Sequence, residues 1–351
     1  AGAEAAGFRP CLRCRPELAP GLSLVDSPQA LAQQAARLIE QAAADGQALT
    51  MPALAARLGV TDRHLRRIFQ QALGVAPLAY LTTRRLLQAK QLLTDTALPV
   101  TAVAHASGFA SLRRFNAAFA ERYRLSPSAL RQARAERGPA DDGAIVLRLG
   151  YRPPYDLDGV LRFLRARALP GVEAVEGLEV RRTLAWPLAG IERRGWIAAR
   201  FVPERHEVRL ELAPALAPVL GALLPRLRQA LDLDADPALI DPALAALPVP
   251  PRPGLRLPGG IDGFETAVRV ILGQQVTVAA ARTLTRRLVE ALGTPVTTPF
   301  AGLDRLFPTA AAIAAADPEA VGRLGIVRQR VRALQALAEA VTAGRIELHR
   351  G

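Results

Sequence analysis

Two segments of this chain are built on one plan, and the repetition restricts what the chain can fold into. The first is TMPALAARLGVTDRHLRRIFQQAL, residues 50–73. Thr50 is placed to cap a helix whose inner face is Leu54, Ala55 and Leu58, because a threonine hydroxyl accepts from the free N–H groups of a first turn. Gly59 permits a turn, and Thr61 caps a second helix. On that helix Leu65, Ile68, Phe69 and Leu73 share one face, as the helical period requires. Arg63, Arg66, Arg67 and Gln70 share the other. The second segment, residues 99–123, repeats the plan with Thr101 as cap, Val103 and Ala104 as packing residues, Gly108 at the turn and Ser111 as the next cap. Leu112, Phe115, Phe119 and Tyr123 face inward there, and Arg113, Arg114 and Asn116 lie near the helix start. Residues 81–96 form a helix between the units, packed through Leu86, Leu87, Leu92 and Leu93. A small-residue helix, a glycine turn and a second helix with a basic face make a helix–turn–helix. Two such units tied by one helix can address successive major grooves of a duplex.

Charge points the same way. The 351 residues carry a formal net charge of +13, with a single lysine, Lys90, among the basic residues. Residues 1–137 hold 18 basic and 9 acidic residues, and the remainder hold 27 and 23. The front third therefore carries most of the positive field, which suits a polyanion. Guanidinium forks match phosphates and guanine edges. Two cysteines exclude a disulfide scaffold. No run is long and apolar enough for a membrane span: residues 212–224 are broken by Pro214 and Pro218. No export signal opens the chain, and Ala1 is not an initiating methionine.

Proline- and glycine-rich joints divide the sequence. They lie at residues 15–28, at GPADDG (138–143) and at PVPPRPGLRLPGG (248–260). The expected organisation is a cysteine-bearing lead over 1–28, a helical block over 29–137, an α+β block over 144–258 and a helical block over 259–351. Residues 30–134, above all ASGFASLRRFNAAFAERYRLSPSALR, resemble the DNA-binding domain of AraC-type transcriptional regulators. That resemblance implies base contacts from the early turns of both second helices, here Arg63, Arg66, Arg67, Arg113, Arg114 and Asn116. Phosphate contact or plain solvation is the alternative for each. Leu112 stands where many relatives have a polar base reader, so the target sequence cannot be carried over.

Cys11 and Cys14 in FRPCLRCR have the spacing of half a tetrahedral zinc site, of a redox pair, or of two idle thiols. Ahead of an AraC-type domain, FRPCLRC resembles the end of the zinc domain of Ada-type methyl-phosphotriester repair regulators. That domain uses four cysteines, one of them a methyl acceptor, and only the downstream pair is present here. Zinc is the cofactor this implies, and methyl transfer is not assigned to the chain.

In the back half, AIVLRLGY, LEVRRTLAWPL, WIAARFVP and HEVRLEL alternate as strands of an antiparallel sheet. DLDGVLRFLRARAL and residues 216–231 read as helices. The four histidines are scattered, and no phosphate loop is present. Three stretches in order resemble the DNA-3-methyladenine glycosylase II family of the helix–hairpin–helix glycosylases: GYRPPYDLDGVLRFLRARALPGVE, RPGLRLPGGIDGFETAVRVILGQQVTVAAARTL, and FPTAAAIAAADPEAVGRLGIVRQRVRALQALAEAV. The resemblance implies a TBP-like N-domain followed by the first part of an all-α glycosylase domain. It also implies excision of alkylated bases flipped from the duplex, with no cofactor. It makes Phe163 a base-pocket aromatic, with a core phenylalanine as the alternative. It makes Gln274 and Gln275 a minor-groove probe, with a surface amide pair as the alternative.

The family's hairpin, and the catalytic aspartate after it, are expected beyond Gly351. Leu324-Gly325-Ile326 runs on into Val-Arg-Gln-Arg and is not that hairpin. Lys90, on the helix between the two units, is no lyase nucleophile. The chain is expected to be a piece of a longer protein at both ends, able to bind DNA with little base release of its own. The expected fold is multidomain and mostly α, with a central α+β domain. The expected partner is double-stranded DNA, both operator and alkylated lesion, bound by a cytoplasmic monomer with no membrane association. The competing function is an AraC-type regulator whose back half reads DNA shape without catalysis.

Overall fold

A computed structural model describes residues 28–44, 49–95, 98–135, 145–188, 191–248, 250, 252–346 and 348. It forms two compact units that meet in sequence between Gly138 and Pro139.

The front unit is all helical: α1 (Pro28–Ala44), α2 (Met51–Arg57), α3 (Asp62–Leu73), α4 (Pro77–Asp95), α5 (Val100–Ala106), α6 (Leu112–Tyr123) and α7 (Pro127–Ala135). Thr50 and Thr61 cap α2 and α3 by accepting from the Ala53 and His64 N–H groups. Ser111 caps α6 by accepting from Arg114 N. Gly59 and Gly108 hold the two turns at φ +66° and +76°, values an L side chain rarely adopts. Leu31, Ile39, Leu54, Leu65, Ile68 and Phe69 form one core. In the second unit Phe109, Phe115, Phe119 and Tyr123 stack in sequence, with ring centroids 5.2, 5.5 and 4.6 Å apart.

Four expectations for this unit are corrected. Thr101 is not a cap: α5 starts at Val100 behind Pro99, which makes no side-chain cap bond. Leu73, Leu87 and Leu112 are exposed rather than packed. Leu73 is the last residue of α3 and Leu112 the first of α6, so both overhang their cores. Leu87 follows the buried Leu86, and adjacent helical residues point about 100° apart.

In the back unit five antiparallel strands lie in the order β1-β5-β4-β3-β2. They are β1 (Ile145–Gly150), β2 (Glu173–Glu176), β3 (Glu179–Leu188), β4 (Ile191–Val202) and β5 (Glu207–Leu212). Leu147, Val208, Leu210, Ile197, Ala199 and Phe201 supply the buried side. The sequence pattern missed β2, four residues long and without an alternating buried face. Helix α8 (Leu157–Arg167) follows β1, and α9 (Leu220–Ala230) and α10 (Pro237–Ala245) follow β5. The expected helix at 216–231 begins instead as a 3-10 turn over Pro214–Val219, where Pro214 and Pro218 withhold N–H donors.

In the PVPPRPGLRLPGG joint, residues 252–260 gather around one buried arginine. Arg256 donates to the carbonyl oxygens of Arg152, Pro154, Asp232 and Ala235 at 2.5–3.3 Å. Its guanidinium lies 4.7 Å from the Tyr155 ring centroid. Gly254 is required beside it, because a Cβ there would sit 2.4 Å from the Pro154 oxygen.

The remaining helices are α11 (Gly263–Gly273), α12 (Val278–Leu292), α13 (Ala310–Ala314), α14 (Pro318–Arg323) and α15 (Arg328–Thr342). Phe264, Val268, Leu272, Leu288, Val331 and Leu334 pack at their centre. Leu169 and Val172, just before β2, join Val289 of α12 in a smaller cluster. Sheet and helices of this unit thus share apolar cover.

Candidate nucleic-acid interface and base-probing turn

The two second helices present their basic residues to solvent, as expected. Arg63, Arg66 and Arg67 on α3 are exposed, as are Arg113, Arg114 and Asn116 on α6. They are not equally available. Arg66 is held by Asp62 one turn earlier through two hydrogen bonds of 3.0 and 2.9 Å. Arg67 lies 3.2 Å from His64 Nδ1. On α3 two of the three arginines therefore carry local partners, and the paired bonds to Asp62 engage Arg66 more firmly than the single His64 contact engages Arg67. The helices also end differently: Gly74 takes the left-handed position after α3, and Arg124 takes it after α6.

In the back unit the segment from Gln274 to Ala280 is exposed throughout. Gln274 is extended, at φ −63° and ψ 127°. Gln275 is left-handed at φ +55° without being glycine. Such a conformation costs about 1–2 kcal/mol for an L residue. Thr277 then caps α12 by accepting from Ala280 N. The result is a tight turn between two helices with a glutamine at its tip. From α15, Arg330 donates through Nη2 to the Gln274 carbonyl oxygen at 2.5 Å. Spacing alone gave no signal for Arg330, which contacts the turn from 56 positions away.

Phe163 lies on α8 and is 38 % exposed, so it is not a core residue. The Arg167 guanidinium covers the ring 3.8 Å from its centroid, a cation–π contact. Arg269 of α11 donates to the Arg167 carbonyl at 3.1 Å, which ties the end of the Phe163 helix to the helix that ends at the turn.

That tie belongs to a buried ion cluster that sequence reasoning also missed. Arg182 on β3 donates to Glu265 on α11 at 2.7 Å and to Glu173 on β2 at 3.2 Å. Arg269 donates to Glu173 at 2.8 Å and to Glu265 at 2.5 Å. Burial alone would raise the Glu265 pKa, but the two guanidiniums outweigh it and hold the carboxyl below the usual range. Burial is also the largest single influence on Glu179 and raises it, but Arg181 and Arg200 together outweigh it and lower the carboxyl. These carboxylates are engaged with arginines and are not free to act on a ligand.

Cys11 and Cys14 lie outside the described residues. Among the described residues no cluster of three or more His, Cys, Asp or Glu could hold a metal ion. No described helix is long and apolar enough to cross a membrane.

Comparison with known proteins finds three family models along the chain. Residues 54–133 match the helix-turn-helix domain model, residues 146–262 the AlkA N-terminal domain, and residues 268–349 the HhH-GPD superfamily base excision DNA repair protein. The "Probable bifunctional transcriptional activator/DNA repair enzyme AlkA" of Mycobacterium tuberculosis (strain ATCC 25618 / H37Rv) is 38% identical over 345 residues, covering 96% of this chain and 67% of that protein. DNA-3-methyladenine glycosylase 2 of Escherichia coli (strain K12) is 39% identical over 208 residues, covering 57% of this chain and 68% of that protein. The front unit alone is similar to the HTH-type transcriptional activator RhaS of Escherichia coli O139:H28, 34% identical over 82 residues, 23% of this chain and 30% of that protein. The chain belongs to the family of bifunctional AlkA regulator/DNA repair proteins, with a helix-turn-helix domain ahead of the AlkA N-terminal and HhH-GPD domains.

Proposed function

We propose that this protein joins sequence-specific duplex binding to removal of alkylated bases from DNA by hydrolysis of the N-glycosidic bond. DNA is the partner that both halves share. The front unit binds an operator through α3 and α6, and the back unit engages the lesion. A base alkylated on a ring nitrogen is cationic, so its glycosidic bond is already weakened. The protein's task is then to extrude the base, hold it against an aromatic face and steady the oxocarbenium-like sugar. Phe163 offers the aromatic face and Gln275 enters the space the base leaves. A glutamine there fills the gap and hydrogen-bonds the orphaned partner base. The carboxylate that steadies the sugar is none of Glu173, Glu179 or Glu265, which are bound to arginines. Cys11 and Cys14 as half of a four-cysteine zinc site, a monomeric state and a cytoplasmic location go with this reading.

The observation that carries it is the exposed, left-handed Gln275 at the tip of a turn between two helices. The test is to titrate the chain with two duplexes that differ only by a central tetrahydrofuran gap. Preference for the gapped duplex, lost in Gln275→Ala, is expected. Equal affinity for both duplexes in the unaltered chain overturns the repair half and leaves a DNA-binding regulator.

A further inference from the structure

The peptide between Gln274 and Gln275 is one plane, and its carbonyl oxygen is the group Arg330 holds at 2.5 Å. The orientation of that plane sets ψ of Gln274 and φ of Gln275 together. A flip of the peptide is the simplest way for a left-handed glutamine to relax, and it would swing the carbonyl away from Arg330. The reverse connection is also present. Arg287 on α12 donates to the Leu324 carbonyl oxygen at 2.9 Å, in the turn that leads into α15. Gly325 in that turn is at φ +91°, and a Cβ there would stand 2.9 Å from Arg287 Nη1. Each turn thus gives a carbonyl to an arginine on the helix that follows the other turn. Leu272 and Ile326 belong to one buried cluster, and Leu284 and Leu324 pack against it.

We propose that Arg330 is a positioning residue for base probing, acting through the Gln274 carbonyl to hold Gln275 in its left-handed, outward conformation. The Arg287–Leu324 bond keeps α15 in register so that Arg330 reaches the turn. Arg330 need touch neither base nor sugar for this. The inference rests on the reading of Gln275 as the residue that enters the vacated space.

The experiment uses the full chain and a duplex with a tetrahydrofuran gap opposite 2-aminopurine, whose fluorescence reports unstacking at that point alone. The expected result is that Arg330→Ala lowers gapped-over-intact preference by about tenfold, the worth of one charge-assisted hydrogen bond. The 2-aminopurine signal at saturation should fall with it, while intact-duplex affinity stays unchanged. Arg330→Lys, which keeps a cationic donor of shorter reach, should recover part of both. If Arg330→Ala lowers the melting temperature by more than a few degrees, the Lys variant decides, on the same two readouts. Arg330 variants that keep full preference and full signal, while Gln275→Ala loses both, overturn the proposal and leave the function intact. If Gln275→Ala itself keeps both, the reading of the turn falls, and this inference falls with it.

Discussion

Arg182 and Glu265 stand 83 positions apart in the chain and 2.7 Å apart in space. One lies on the third strand of the sheet and the other in the first turn of α11. Both are largely buried, and both also meet a second partner of the opposite charge. The sheet and the helix that leads to Gln275 are therefore joined by an ion cluster as well as by apolar packing.

Removal of Glu265 leaves two arginines with too few carboxylates in a dry place. Breaking a buried pair by deleting one partner costs about 3–5 kcal/mol, far more than the intact pair contributes. Glu265→Ala should reduce the urea-unfolding free energy of the back unit by that amount. Adding Arg182→Met should restore part of the loss. A single-variant cost below about 1 kcal/mol would mean that water reaches the cluster.

The pH profile of stability should fall at both ends. Glu265 and Glu179 have folded pKa values below their ordinary ones, so the unfolded chain takes up protons first as pH drops. Their contribution is complete above the ordinary carboxylate range of about 4–4.5 and is lost below it. Tyr155 is pushed upward, mainly by burial, so the unfolded chain loses its phenolic proton first as pH rises. Its contribution is complete below the ordinary tyrosine value of 10.0 and declines above it. Thermal melts from acid to alkaline pH would show this, and Tyr155→Phe should flatten the alkaline limb. An unchanged alkaline limb in that variant would assign the decline to another group.

Arginines of the front unit should separate by how firmly they are already engaged. Arg67→Ala and Arg113→Ala should each weaken specific duplex binding by about 1–3 kcal/mol if they read bases. Arg66→Ala should cost less than about 1 kcal/mol, because Asp62 already occupies its guanidinium. Fluorescence anisotropy against a duplex selected by this chain from a random pool, and against its scrambled form, gives both affinity and preference. If Arg67→Ala and Arg113→Ala leave both unaltered, α3 and α6 are not the reading helices.

Gln275→Gly sets stability against function at one residue. Glycine reaches φ +55° without the clash that glutamine suffers. The variant should be at least as stable as the parent, by up to about 1 kcal/mol, yet lose its preference for gapped DNA. Retained preference would show that the backbone of the turn, not the amide, fills the gap.

The parts of the fold governed by local rules were legible in the sequence. Thr50, Thr61 and Ser111 cap where their hydroxyls predict, and Gly59 and Gly108 turn where they predict. The outward face of α3 and α6 followed from helical period. Thr101 misled because a threonine near a helix start resembles a cap, while Pro99 had already set the boundary. The ion cluster was not legible, because Glu173, Arg182, Glu265 and Arg269 share no spacing that a period could expose. Phe163 was open between core and surface, since a lone phenylalanine on an amphipathic helix looks the same in either role. Arg256 gave no sign either: its acceptors are main-chain oxygens, which every residue has.

Helix α11 is 11 residues long, a rod of about 16 Å. Its first turn is clamped to the sheet by Glu265, and Gln275 stands just past its other end. The same helix is held again at its middle, where Arg269 meets Glu173 of β2, so it acts as a strut with Gln275 at its tip. Its hydrogen-bonded turns resist stretching, so the place of Gln275 is set by β2 and β3 through Glu173, Arg182 and Glu265. The sheet is then the footing on which that tip is set.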